Sequence, residues 1–277
     1  MRKLLTLALF CLLFCLLTTA GFGSATLVQA NAGGSASATF TGGGTLTTNA
    51  VGFSSNTTLG NHLFLVAWVQ ESGGGELTGV AYNHIAATTS GFSWACLGGP
   101  SQCEQASTYQ DNATATKYGI TAVYEIANAA VMSTATTTVV TAVVPSGDHC
   151  VVCTLEFSLY EFAGVGAYLS PLLAPAGNET GTPTNPAQTY ACTPSPCFMF
   201  FTLIGYPGSD LTAASGWTLG VNASVATIGQ VVYNLSLSGS TTQQFVGTLG
   251  LWDMYGAHYA LASPPSSAVP RHRGFVN

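Results

Sequence analysis

The residues best able to do chemistry in this chain sit in one short run, DHCVVC (Asp148 to Cys153). There an acid, a histidine and a Cys-x-x-Cys precede an alternating apolar segment. Three chemistries compete for it. A zinc site needs two further ligands, and only scattered His or cysteines already suited to pairing could supply them. A redox Cys-x-x-Cys caps a helix in a thioredoxin-like βαβ setting, whereas a β-patterned run follows this one. A disulfide staple needs neither, and it is the reading adopted, with no metal and no cofactor expected.

Beyond residue 30 the cysteines are Cys96, Cys103, Cys150, Cys153, Cys192 and Cys197. An even number in an exported chain reads as disulfides. Cys96 with Cys103 would enclose LGGPSQ, and Cys192 with Cys197 would enclose TPSP; both sequences turn readily. Cys150 and Cys153 pair less easily. Residues three apart on a strand lie about 10 Å apart and face opposite ways, while a disulfide wants its Cα atoms within about 7 Å. That pair closes only if the chain turns at Asp148–Cys153; otherwise each cysteine bonds elsewhere.

Other side chains could serve a catalyst or a binding module. A glycosidase places two carboxyls about 5 to 9 Å apart across a cleft. Glu125, Glu156, Glu161 and Asp253 lie on strand-like segments, but Glu156 and Glu161 are five residues apart and so take opposite faces of one strand. They read as solvated strand acids, with Glu156 pointing outward. No Gly-x-Ser-x-Gly elbow, calcium loop or phosphate-binding glycine loop is present. Trp94, Trp217, Trp252 and Tyr82 could form a platform for a sugar ring, against the alternative that they fill a core. No catalytic residue is assigned. The five Asn-x-Ser/Thr sequons, at Asn56, Asn112, Asn178, Asn222 and Asn234, are too few above chance to decide anything.

The elements that would position these residues are strands. HLFLVAWVQ (62–70) is apolar on both faces, as a strand packed on two sides would be. KYGITAVYEIANA (117–129) puts Tyr118, Ile120, Ala122, Tyr124 and Ile126 on one side. VCTLEFSLY (152–160) puts Cys153, Leu155, Phe157 and Leu159 inward and Thr154, Glu156 and Ser158 outward. TTTVVTAVV (136–144), CFMFFTLIGY (197–206), QVVYNLSLS (230–238), QFVGTLGLW (244–252) and AHYALAS (257–263) complete the set. With no crossover helices between them, these predict an all-β, antiparallel β-sandwich, jelly-roll or Ig-like, stapled by disulfides.

The ends are different in kind. Arg2 and Lys3 followed by apolar Leu4 to Leu17 read as a signal peptide within residues 1–30, with cleavage after Ala20, Ala25 or Ala30. No later run is long enough for a transmembrane helix. Residues 31–263 read as one domain, in which 31–50 either supplies the first strand or forms a flexible N-terminal arm; 264–277 read as a disordered, Pro-rich tail. Segments 97–116 and 166–190 read as long surface loops.

Charge excludes more than the motifs do. Charged residues make up 6% of the chain, and Lys117 is the only base between residues 31 and 263. Nucleic-acid binding needs several phosphate-neutralising side chains, so that class is excluded. A surface of Ser, Thr, Asn and Gly lacks the repulsion that keeps molecules apart, which favours self-association.

The order GN-HLFLVAWV, GFSW, VYEIANA, YEFAGV, TPTNPAQT, GWTLG and AHYALAS resembles a widespread group of exported bacterial β-sandwich proteins. In those the equivalents read GN-LLVV, GNTW, Y…N…A and EYSG. The resemblance covers about residues 50–263 and implies fold and export, not an activity; the six cysteines and the segment 97–116 depart from it. The expected function is therefore that of a secreted or cell-surface, non-enzymatic structural or adhesive protein. Its partner would be itself or a surface glycan. A carbohydrate-binding module is the alternative and a β-sandwich glycoside hydrolase the remaining one.

Overall fold

The structure, a computed structural model, describes residues 23–71, 85–97, 104–105, 110–111, 116–117, 119–144, 150–169, 176–178, 185–208, 211–221 and 229–262. Residues 1–22 of the segment read as a leader, the tail 264–277, Tyr82, Asp148, His149 and Cys103 lie outside the described residues, as do the side chains of Cys150 and Asp253.

Among the described residues the chain is all-β, without helix. The first strands are β1 (Thr26–Phe40), β2 (Gly44–Thr47), β3 (Val51–Gly52), β4 (His62–Glu71), β5 (Ile85–Thr89), β6 (Ala95–Cys96) and β7 (Glu104–Gln105). There follow β8 (Gln110–Asp111), β9 (Thr116–Lys117), β10 (Gly119–Ile126), β11 (Thr137–Val144), β12 (Cys150–Ala163), β13 (Val165–Tyr168) and β14 (Ala176–Asn178). The last are β15 (Tyr190–Ala191), β16 (Cys197–Gly208), β17 (Thr212–Ala213), β18 (Thr218–Leu219), β19 (Gly229–Leu237), β20 (Ser240–Thr241), β21 (Phe245–Val246) and β22 (Leu249–Leu261).

These strands pair antiparallel into three larger sheets. The middle sheet runs β1-β12-β4-β10-β6, with β7 also on β10. A small sheet places β2 and β3 on one side of β11 and β5 on the other. A third sheet runs β13-β22-β16-β19-β18, with β14 also on β22.

Alternation along β4 and β12 explains why the sheets stack three deep. Leu63, Leu65, Ala67 and Val69 of β4, with Leu155, Phe157 and Leu159 of β12, face the small sheet and meet Leu46, Val140 and Ala142. Phe64, Val66 and Trp68, with Tyr160 and Phe162, face the third sheet and meet Phe198, Phe200, Val231 and Tyr259. The middle sheet is thus covered on both faces, which is what the unbroken apolar run 62–70 demands. Beyond the third sheet, Met199, Phe201, Leu203 and Met254 form another core with Trp217, Phe245 and the disulfide Cys192–Cys197.

Three expectations change. Thr154, Glu156 and Ser158 do not face water: they point at the third sheet, and Glu156 and Ser158 are buried there. The segments 244–252 and 257–263 are not two strands; apart from the short β21 they form the single strand β22. Within β22, Gly256 permits close packing, since a Cβ there would lie 2.3 Å from Phe201 Cδ1 and 2.6 Å from the Phe200 carbonyl oxygen. Of the two readings of residues 31–50, first strand or free arm, the structure has the strand: they hold the body of β1 and all of β2, with β1 laddered against β12 from Thr26↔Ala163 to Phe40↔Cys150. Parts of 97–116 and 166–190 also form short strands, β7 to β9 and β13 to β15.

Candidate functional site

The acids are the first test of chemistry. β10 and β12 flank β4, with Glu125 opposite Phe64 and Glu156 opposite Trp68. Four residues along a strand is about 13 Å, and two strand spacings add about 9.6 Å sideways. Glu161 faces the small sheet, away from both. No two of these three carboxyls reach the separation a glycosidase uses.

The reading of these acids as solvated also fails. Glu161 is fully buried. Its Oε1 accepts the Thr58 backbone N–H at 2.7 Å and Asn61 Nδ2–H at 2.6 Å, and its Oε2 accepts Gln29 Nε2–H at 2.6 Å. Gln29 Oε1 in turn accepts from Ser55 N–H, Ser55 Oγ and Ser54 Oγ. Three charge-assisted bonds let a carboxylate stay inside the protein. Glu156 is the opposite case: it is buried, and its Oε1 has no hydrogen-bond partner.

Glu125 is the acid nearest to an active arrangement. Its Oε2 lies 2.8 Å from His62 Nε2 and 2.6 Å from the Tyr259 hydroxyl, which donates to it. His62 stacks on Phe64 at 4.7 Å between centroids and meets the Tyr259 ring edge-on at 5.0 Å. A carboxylate orienting an imidazole is half of a hydrolase relay. The other half is not assembled, because among the described residues no hydroxyl or thiol is hydrogen-bonded to the His62 ring. What the cluster does is tie β10 and β4 of the middle sheet to β22 of the third.

A second histidine has a similar role. His258 of β22 is buried, with Nδ1 hydrogen-bonded to the Tyr190 hydroxyl and the ring also bonded to the Thr193 backbone. Its desolvation holds the imidazole pKa below the ordinary value, partly opposed by the Thr193 bond. It thereby pins the loop closed by Cys192–Cys197, whose Cα atoms are 5.9 Å apart. Cys96 and Cys153 are disulfide-bonded as well. No group of three or more His, Cys, Asp or Glu able to hold a metal occurs among the described residues.

The aromatic platform does not form. Trp217 is buried against Phe201, 5.4 Å away edge-on, and Trp252 is buried in the same core. Neither offers a face to a sugar. Trp94 is half-buried, with Nε1–H donating to Thr89 Oγ1 at 2.8 Å. Of the sequon residues, Asn234 donates to the Gly216 carbonyl and accepts from Ser236 N–H, and Asn56 accepts from Thr134 N–H.

The open feature is the outer face of the small sheet. Thr45 and Thr47 of β2, Thr137, Val139, Thr141 and Val143 of β11, and Ala86 and Thr88 of β5 are exposed or half-buried along it. None of its four strands carries a charged residue. Asn61, His62, Tyr259, Gln29 and His258 were not singled out from the sequence. Asn61 and Glu161 do lie within the GN and YEFAG motifs, the one available signal for the clamp. Compared with protein-family models, curated proteins and solved structures, the chain matches none of them.

Proposed function

We propose that this is an exported, non-enzymatic structural or adhesive protein of the cell surface or extracellular space that associates through its small sheet. The observation that carries this reading is the charge-free outer face of β2, β11 and β5. β5 (IAATT) pairs only with β11 among the described strands and has none of the Lys, Pro or bulges that blunt an edge. The acids and histidines support it too, since Glu161, Glu125, His62 and His258 spend their hydrogen bonds holding elements together. Within this reading the stack is an elaborated sandwich, a jelly-roll or Ig-like pair of sheets with a third added. Export rests on the apolar leader and on the resemblance to exported bacterial proteins.

Light scattering on the oxidised protein, with electron micrographs of the same sample, tests the association. Large assemblies that Thr141→Lys with Val143→Lys reduces to monomers are expected; a monomeric wild type would overturn the reading. Half-exposed Trp94, beside β5, favours glycan binding as the second reading. It requires a monomer whose Trp94 fluorescence responds to a polysaccharide.

A further inference from the structure

Gln29, on β1, has its whole carboxamide held between one loop and one acid. Its Oε1 accepts three hydrogen bonds, from Ser55 Oγ at 3.0 Å, Ser55 N–H at 3.1 Å and Ser54 Oγ at 3.2 Å. Its Nε2 donates to Glu161 Oε2 at 2.6 Å and to the Ser55 carbonyl at 3.2 Å. The loop that presents the two serines is itself fixed. The Gly52 carbonyl accepts Asn31 Nδ2–H at 2.6 Å, Phe53 is buried, and Thr57 N–H donates to the Met132 carbonyl at 2.9 Å. The serines therefore meet the amide in one geometry rather than many.

That geometry is the kind an acyl transfer uses. In serine hydrolases the nucleophilic serine also contributes its own backbone N–H to the oxyanion hole, and Ser55 brings both its hydroxyl and its N–H to Gln29. Ser55 Oγ, 3.0 Å from Oε1, lies within about 4.2 Å of the carbon bonded to that oxygen. Ser54 Oγ is a second donor for the charge that would develop on Oε1. Glu161, fully buried, has its Oε2 on the nitrogen that would leave. We propose that Gln29 and Ser55 are the reactants of an internal ester cross-link between β1 and the loop ahead of β4. The bond from Ser55 Oγ to Gln29 Cδ forms, and the Cδ–Nε2 bond breaks. The hydroxyl proton passes to the nitrogen with Glu161 Oε2 as its carrier, and ammonia leaves on the exposed side of Ser54 and Ser55. Nothing is oxidised or reduced. The product has a use in this fold. β1 is the outer strand of the middle sheet, and among the described strands it pairs only with β12. Pulling on the N-terminus peels such a strand bond by bond, and a covalent tie at residue 29 stops the peeling near its start.

The test is the intact mass of the purified, oxidised protein that retains Gln29. Wild type is expected to weigh less than its sequence by one ammonia, beyond the hydrogens lost to disulfides. A protease digest should contain one branched peptide joining residue 29 to residue 55. Hydroxylamine, which cleaves esters and spares amides, should separate its two arms. Ser55→Ala is expected to restore the full mass. Glu161→Gln, sampled from synthesis onward, is expected to lose ammonia about 100-fold more slowly. Ser54→Ala keeps the nucleophile and is expected to form the same ester, again about 100-fold more slowly. Wild type at its full sequence mass would overturn the proposal, and so would Gln29 hydrolysed to glutamate with no branched peptide. A cross-link that persists in Ser55→Ala, or that hydroxylamine leaves intact, would overturn it as well. None of these results bears on export or association, which localisation and light scattering read separately.

Discussion

Asn61 Nδ2 lies 2.6 Å from Glu161 Oε1, across 100 residues of sequence. This contact joins the residue before β4 to the end of β12, and Thr58 and Gln29 complete it. Glu161→Met keeps the length of the side chain but removes the acceptor from three buried or half-buried donors. Unsatisfied buried donors cost about 1 to 3 kcal/mol each, so a loss of about 3 kcal/mol or more is expected in urea unfolding. Glu161→Gln should lose less, because its Oε1 still serves Thr58 and Asn61. A Met variant as stable as wild type would show that the clamp contributes nothing.

The same substitution five residues earlier should act with the opposite sign. Glu156 is buried opposite Trp68 and Ser35, and its Oε1 has no partner. Replacing a buried, unpartnered polar group by an apolar one of similar shape is neutral or stabilising. Glu156→Met is therefore expected to leave stability unchanged or raise it by about 1 kcal/mol. A clear loss in the same urea experiment would mean that Glu156 has a partner in solution.

These two acids also mark what the sequence could convey. Period-two alternation put Glu156 and Glu161 on opposite faces, as they are, because parity is a local property of a strand. Whether a face meets water is not local. Parity alone made Thr154, Glu156 and Ser158 look solvated, yet a third sheet lies over them. The doubly apolar run 62–70 was the sign of that burial, since only a strand covered on both faces needs one. The clamp and the His62–Glu125–Tyr259 cluster were illegible because the hydrogen bonds that make them join residues 63 to 134 apart, with no spacing of their own.

The entry of β1 bears on processing. Ala25 is buried and its N–H donates to the Leu235 carbonyl at 3.3 Å, and Gln29 serves Glu161. Cleavage after Ala30 would remove both residues, and cleavage after Ala25 would remove one. Only cleavage after Ala20 leaves β1 and its lead-in whole. Under the export reading proposed above, the mature protein is expected to begin at Gly21, as intact-mass measurement would show; a mass starting at Asn31 would mean that the lead-in and first turn of β1 are dispensable.

His258 sets the expected response to acid. Burial lowers its pKa from the ordinary value in the folded state. Between the folded value and the ordinary one of about 6.5, the unfolded chain holds a proton that the folded chain does not. Stability should thus be full above about pH 6.5 and decline as pH falls toward and through the folded value. The cause is burial, which disfavours the charged imidazolium and is only partly opposed by the bond to the Thr193 backbone. His258→Gln cannot titrate, so its unfolding free energy should vary less with pH in this window, even if it is lower throughout. Urea midpoints at several pH values for both proteins would show the difference in slope. Parallel curves would mean that His258 is as easily protonated in the fold as outside it.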